Sequence, residues 1–170
     1  FISMAKEVLC HNVLGEEFLV PASKLQFRPS VYGLLIQNGK ILLSPQWDGY
    51  DFPGGGLKIE EDLEEALRRE FWEETGLKVD VGKIIKASTS FYAPRPRSGE
   101  ESVYWNCVLL HFLVTQTGGE LSTANFDEAE KSYLGLATWL DLNKLEGLKF
   151  YNHLGSAGSL EIIKQAASQL

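Results

Sequence analysis

Three glutamates, Glu70, Glu73 and Glu74, occupy positions i, i+3 and i+4 of a run that reads as an amphipathic helix, and they lie on or beside its inner side. With about 100° per residue and Leu63 taken as the origin, Leu67 falls at about 40°, Phe71 at about 80° and Ala66 at about 300°, which defines an apolar stripe. Glu70 falls at about 340°, Glu74 at about 20° and Glu73 at about 280°. The helix is expected from Glu61 to Glu74, with Gly76 ending it. A charge-rich helix ordinarily turns its charge to solvent, as Glu61, Glu64, Glu65, Arg68 and Arg69 are expected to do. Inward carboxylates repel one another and lose solvation unless a cation neutralises them. Oxygen donors of this kind suit hard divalent ions, Mg²⁺ or Mn²⁺, which also bridge to substrate phosphates.

The surrounding composition agrees. Glu60 to Glu74 holds eight acidic residues against two basic ones, a balance of −6, and the whole chain carries a formal net charge of −7, so nearly all the excess is local. A sequence-independent grip on nucleic acid needs a basic stripe, and nucleic acid is not an expected partner. Gly54, Gly55 and Gly56 precede the segment, where absent side chains let backbone approach a metal or phosphate. No Gly-x-x-x-x-Gly-Lys-Ser/Thr pattern accompanies them, so a P-loop is not supported.

With 170 residues, 44% of them apolar, the chain can bury one core and reads as a single domain. Cys10 and Cys107 are expected to be reduced, buried thiols. No run is long and apolar enough for a membrane span and no secretory leader is recognisable, so a cytoplasmic protein is expected. Phe1 to Ser3 read as a tag remnant ahead of Met4. Residues 4–30 read as an N-terminal extension whose runs "EVLCHNVL" and "EEFLVPASKLQF" turn at Gly15, and 31–170 as the main domain. Val31 to Ile36 and Ile41 to Leu43 form an expected hairpin about Asn38-Gly39. Two long extended runs follow the helix, separated by the loop "APRPRSGEES"; a strand is expected at Leu136 to Trp139, and a last helix capped by Ser159. The pattern is a mixed α/β fold with helices covering a sheet.

Gly55, Glu61, Arg69, Glu70, Phe71, Glu73, Glu74, Gly76 and Leu77 match without a gap the pattern Gly, five residues, Glu, seven residues, Arg-Glu-hydrophobic-x-Glu-Glu-x-Gly-hydrophobic. In this the sequence resembles the Nudix hydrolase family, of MutT-like type, and the likeness extends from about Val31 to about Leu145 through "DFPGGG" and "ATWLDLNKL". The resemblance implies an α/β/α sandwich around a mixed β-sheet and metal-dependent hydrolysis of a nucleoside diphosphate linked to another moiety, by water attack at phosphorus. It implies Glu70 and Glu74 as main metal ligands, Glu73 as a further ligand or base, the Gly54 carbonyl as another metal contact, and a bracing pair of Glu61 and Arg69. The general base is a box glutamate or one from a distant loop, where "NFDEAEK" offers Glu128 and Glu130.

Specificity lies outside the box. Trp47, Tyr50, Phe91, Tyr92, Tyr104 and Trp105 are candidates to stack a base, of which Tyr50, Tyr92 and Trp105 are taken as substrate-binding residues. Arg95 and Arg97 are candidates to clamp a phosphate. Tyr92 and Pro94 fall where the family links tyrosine or proline with dinucleoside polyphosphate or ADP-ribose preference, and so point two ways. His11, His111 and His153 show no mutual ligand spacing and read as structural. The expected partner is a small nucleotide, with a homodimer as a further expectation. Nucleotide sugars, ADP-ribose, dinucleoside polyphosphates and (d)NTPs all remain open as substrates. A non-catalytic nucleotide-sensing module is the alternative, disfavoured by the intact glutamate set.

Overall fold

The computed structural model describes residues 6–94 and 103–170. Its strands are β1 (Glu7–His11), β2 (Glu17–Pro21), β3 (Leu25–Gln37), β4 (Lys40–Gln46), β5 (Gly49–Asp51), β6 (Gly54–Gly56), β7 (Leu77–Tyr92), β8 (Tyr104–Gly119) and β9 (Thr138–Asp141). Helix α1 (Leu63–Thr75) lies between β6 and β7, and α2 (Gly155–Ala167) follows β9. Phe1 to Ser3, Arg95 and Arg97 lie outside the described residues.

The strands form one mixed sheet in the order β2-β1-β7-β8-β3-β4-β5, with β6 added to β3 and β9 to β4. Its centre is the parallel pair β3–β8, in register from Leu25↔Tyr104 to Leu35↔Val114, and the long antiparallel pair β7–β8. The Val31 to Ile36 part of β3 reads as an apolar run because both of its faces are covered, whereas its first half, with Gln26 and Arg28, is exposed. Val31 and Leu35 pack with Ala66, Leu67 and Phe71 of α1. Leu34 and Ile36 pack with Ile162, Ile163 and Ala166 of α2. Burying each large apolar side chain contributes about 1.5–3 kcal/mol, so these two clusters hold both helices to the sheet. The result is the α/β/α sandwich expected from the sequence.

The β3–β4 turn is also as expected, with Asn38 at φ 50° and Gly39 at φ 71°. Elsewhere the boundaries differ for physical reasons. Helix α1 starts two residues later than expected because Asp62 caps it: the Asp62 carboxylate accepts the Glu65 N–H at 2.8 Å and the Glu65 carboxylate accepts the Asp62 N–H at 3.0 Å. The sequence signal was Asp-x-x-Glu. Leu63, placed at the middle of the apolar stripe, is 38% exposed at the first position of the helix. Ser159 does not cap α2; it is buried inside a helix that begins at Gly155, and its hydroxyl hydrogen-bonds the Asn152 side chain. The ninth strand runs Thr138–Asp141, two residues beyond the expected start, where Leu43↔Thr138 begins its pairing with β4. The division between 30 and 31 falls inside β3, whose first half is held by β8. Among the described residues, no helix is long and apolar enough to cross a membrane.

Candidate active site

Strand β6 and helix α1 build the site together, and the three glycines make their contact possible. Gly54 has φ 148°, and a Cβ there would overlap the Val31 carbonyl oxygen. A Cβ on Gly55 would stand 2.7 Å from Glu70 Oε2. One on Gly56 would stand 3.3 Å from Arg28 Nε. The bare backbone thus lets Glu70 lie against the strand, while the Gly54 N–H donates to Glu74 Oε2 at 3.2 Å. Ser44 Oγ donates to the same oxygen at 3.5 Å.

Arg69 organises the helix's other carboxylates. Its Nε and Nη2 form a fork on Glu61, the Nη2 bond being 2.8 Å, and Nη2 also donates to the Gly56 carbonyl at 3.2 Å. Its Nη1 donates to Glu70 Oε1 at 2.7 Å and to Glu73 Oε2 at 2.9 Å. The anticipated Glu61–Arg69 brace is therefore a fork that ties the loop before α1 to its middle. The Arg69 hydrogen bonds hold the Glu61 carboxyl down at about 2. Glu70 shares that arginine, yet burial outweighs it and pushes its carboxyl up. Burial, then the Glu70 and Asp51 charges, push Glu74 up strongly, and among the described residues no cationic side chain pairs with it.

The loop after β8 supplies the third carboxylate. Asp127 and Glu130 exchange backbone-to-side-chain hydrogen bonds of 2.7 Å each, and Asn125 Nδ2 donates to the Trp72 carbonyl at 3.3 Å. Gly135 N–H donates to the Pro45 carbonyl at 2.8 Å, closing the loop onto β4. Oxygens of Glu70, Glu74 and Glu130 consequently all lie within 4.8 Å of one another. Burial pushes the Glu130 carboxyl up as well. Glu128 is not part of this group: its side chain is 92% exposed and paired with Lys131 at 2.6 Å. Glu73 stands at the rim on Arg69, 32% exposed. Three oxygen donors, two of them on a helix and unable to shed their repulsion, fit a hard divalent cation such as Mg²⁺ or Mn²⁺.

The sheet face beside β6 carries the aromatic candidates. Tyr92 and Trp105 are cross-strand partners, and Ser90 is partnered by Cys107. The Arg28 guanidinium lies 5.5 Å from the Trp105 ring centre. Sequence reasoning gave the histidines no common purpose, but His11 Nε2 and His153 Nδ1 meet at Ser90 Oγ, at 3.4 and 3.2 Å, and the His153 ring stands edge-on to Tyr92 at 4.8 Å. Burial pushes His153 down to about 4, so it is neutral at physiological pH. Tyr50 packs instead against the α2-side core. Trp47 joins Tyr133 and Tyr151 in an aromatic cluster beside the Glu130 loop. Arg28 went unnoticed in the sequence; its one signal is that β3 carries a lone cation in an apolar strand.

Fold and site define a class: a hydrolase with a loop–helix–loop carboxylate box on a mixed-sheet sandwich. A family model described as NUDIX domain matches residues 26–160, and the chain belongs to that family. It is 29% identical over 141 residues to an RNA pyrophosphohydrolase of Teredinibacter turnerae, covering 72% of this chain and 78% of that one. It is 31% identical over 134 residues to an ADP-ribose pyrophosphatase of Methanocaldococcus jannaschii, covering 75% and 70%. Other curated relatives are matched over 38% to 60% of their length. A crystal structure of a UDP-X diphosphatase shares the fold at TM-score 0.62 and 16% identity, over 85% of this chain and 64% of that one.

Proposed function

We propose that this chain is a divalent-metal-dependent pyrophosphohydrolase acting on a small nucleotide, a nucleoside diphosphate linked to a second moiety. The observation that carries the reading is the convergence of Glu70, Glu74 and Glu130 within 4.8 Å, beside a glycine strand whose bare backbone Glu70 lies against. Glu70 and Glu74 hold the metal, with the Gly54 backbone beside them and Glu73 as a peripheral ligand. Mg²⁺ or Mn²⁺, when bound, supplies charge neutralisation of the phosphate oxygens and a lowered water pKa. A water oxygen bonds to phosphorus while the bridging P–O bond breaks, and the leaving phosphate departs with the bond's electron pair. Glu130, on a loop rather than the helix and with its carboxyl pushed up by burial, accepts the water proton. Glu128 points to solvent and is left out of the mechanism. Tyr92 and Trp105, neighbours across β7 and β8, are assigned to contact the rest of the substrate.

The names of the relatives support pyrophosphate cleavage but differ on what is cleaved, ADP-ribose or RNA. The net charge of −7 favours the small substrate. The test is phosphate release, after phosphatase digestion, across nucleotide sugars, ADP-ribose, dinucleoside polyphosphates and (d)NTPs, with Mg²⁺ or Mn²⁺ and with EDTA. Metal-dependent turnover of one class supports the reading and names the second moiety. Tight binding without turnover assigns the chain to nucleotide sensing instead.

A further inference from the structure

Strand β6 stands between two unlike chemistries. Successive residues of a strand point to opposite faces. The Cβ position of Gly55 therefore looks toward Glu70, and that of Gly56 looks the other way, to Arg28. Only the thickness of one glycine backbone separates the carboxylate group from the arginine.

Arg28 is exposed, its guanidinium carbon lies 5.5 Å from the Trp105 ring centre, and among the described residues no carboxylate pairs with it. Arg69, the other arginine of the site, has its guanidinium committed to Glu61, Glu70, Glu73 and the Gly56 carbonyl. A guanidinium drawn to an indole face by its charge keeps N–H groups free to fork onto an anion. Cys107 is the register partner of Arg28 on β8, Ser90 is the partner of Cys107 on β7, and Ser90 in turn meets His153. Opposite Cys107 in the β3–β8 register, with its guanidinium over Trp105 and its Nε beside Gly56, Arg28 lies on this face of the sheet.

We propose that Arg28, seated over Trp105 and beside Gly56, is a phosphate-binding residue that clamps the substrate phosphate lying next to the one at the Glu70–Glu74–Glu130 group. This rests on the pyrophosphohydrolase reading and deepens it. A diphosphate crossing the β6 backbone meets carboxylates and metal on one side and a forked cation on the other. Two adjacent phosphates are then recognised as a unit, which selects a pyrophosphate over a monophosphate ester.

The experiment is calorimetric titration of the protein with methylenediphosphonate, a non-hydrolysable diphosphate, in the presence of Mg²⁺, so that no turnover is needed. Arg28→Gln is expected to weaken binding about 10- to 100-fold, the size of a lost charge-assisted hydrogen bond, with a melting curve close to that of the wild type. Arg28→Lys, which keeps the charge but not the fork, is expected to recover part of that loss. Equal affinity in the wild type and Arg28→Gln overturns the clamp while leaving the pyrophosphohydrolase reading intact, and assigns Arg28 to bracing the β3–β8 edge. No binding by the wild type overturns both.

Discussion

The backbone N–H of Gly54 and the carboxylate of Glu74, twenty positions apart, meet at 3.2 Å. This single bond fastens β6 to the last turn of α1, and it is possible only because Gly54 tolerates φ 148° hard against the Val31 carbonyl. Gly54→Ala forces both the dihedral and the contact. We expect it to destabilise the fold by about 1–3 kcal/mol and to lower turnover, measured by urea unfolding and initial rates. Wild-type values in both would show that the strand yields at no cost.

Glu128 and Glu130 are separated by one residue, yet only Glu130 reaches the carboxylate group. Glu130→Gln is expected to lower kcat about 10²- to 10⁴-fold, as the loss of a general base does, while Glu128→Gln stays near wild type. Steady-state kinetics of the two variants on one substrate decide it; the reverse ranking would remove Glu130 from the mechanism.

Glu74 is a buried carboxylate without a cationic partner among the described residues. In EDTA, Glu74→Gln relieves that repulsion and is expected to melt no lower than the wild type. On adding millimolar Mg²⁺ the wild type gains melting temperature by binding the ion in its folded state, whereas the variant gains little. Thermal scans with and without metal check both halves. An equal Mg²⁺ gain in the two proteins would place the ion elsewhere.

The Glu61 carboxyl is held down at about 2 by Arg69. A folded-state value below the unfolded one means that the folded protein favours the charged form. The contribution is therefore full above the ordinary carboxylate range and is lost as pH falls through about 2. The stability gap between the wild type and Glu61→Gln is expected to be widest near neutrality and to close on acidification. Denaturant melts at a series of pH values measure it, and a gap that widens toward acid would contradict the fork.

The helix half of the carboxylate site was legible in the chain because helix periodicity is local. Glu70 and Glu74 share a side by virtue of i, i+4 spacing alone, whereas Glu73, expected beside them, stands at the rim on Arg69. The doubly covered β3 and the Asn38-Gly39 turn were equally local, being matters of apolar run and backbone dihedral. What tertiary structure decided is everything that depends on register between distant segments. The choice of Glu130 over Glu128 follows from how the loop after β8 is tied to Trp72 and Pro45. The meeting of His11 and His153 at Ser90 follows from a β1–β7 bridge and from Asn152, which anchors the turn before α2 to Asp51 and Ser159. Arg28 reaches Trp105 because β3 and β8 pair in parallel across 79 positions, and a one-residue slip would send it to the opposite face. Spacing along one helix carries its own geometry, whereas contacts between strands exist only once the sheet has chosen its register.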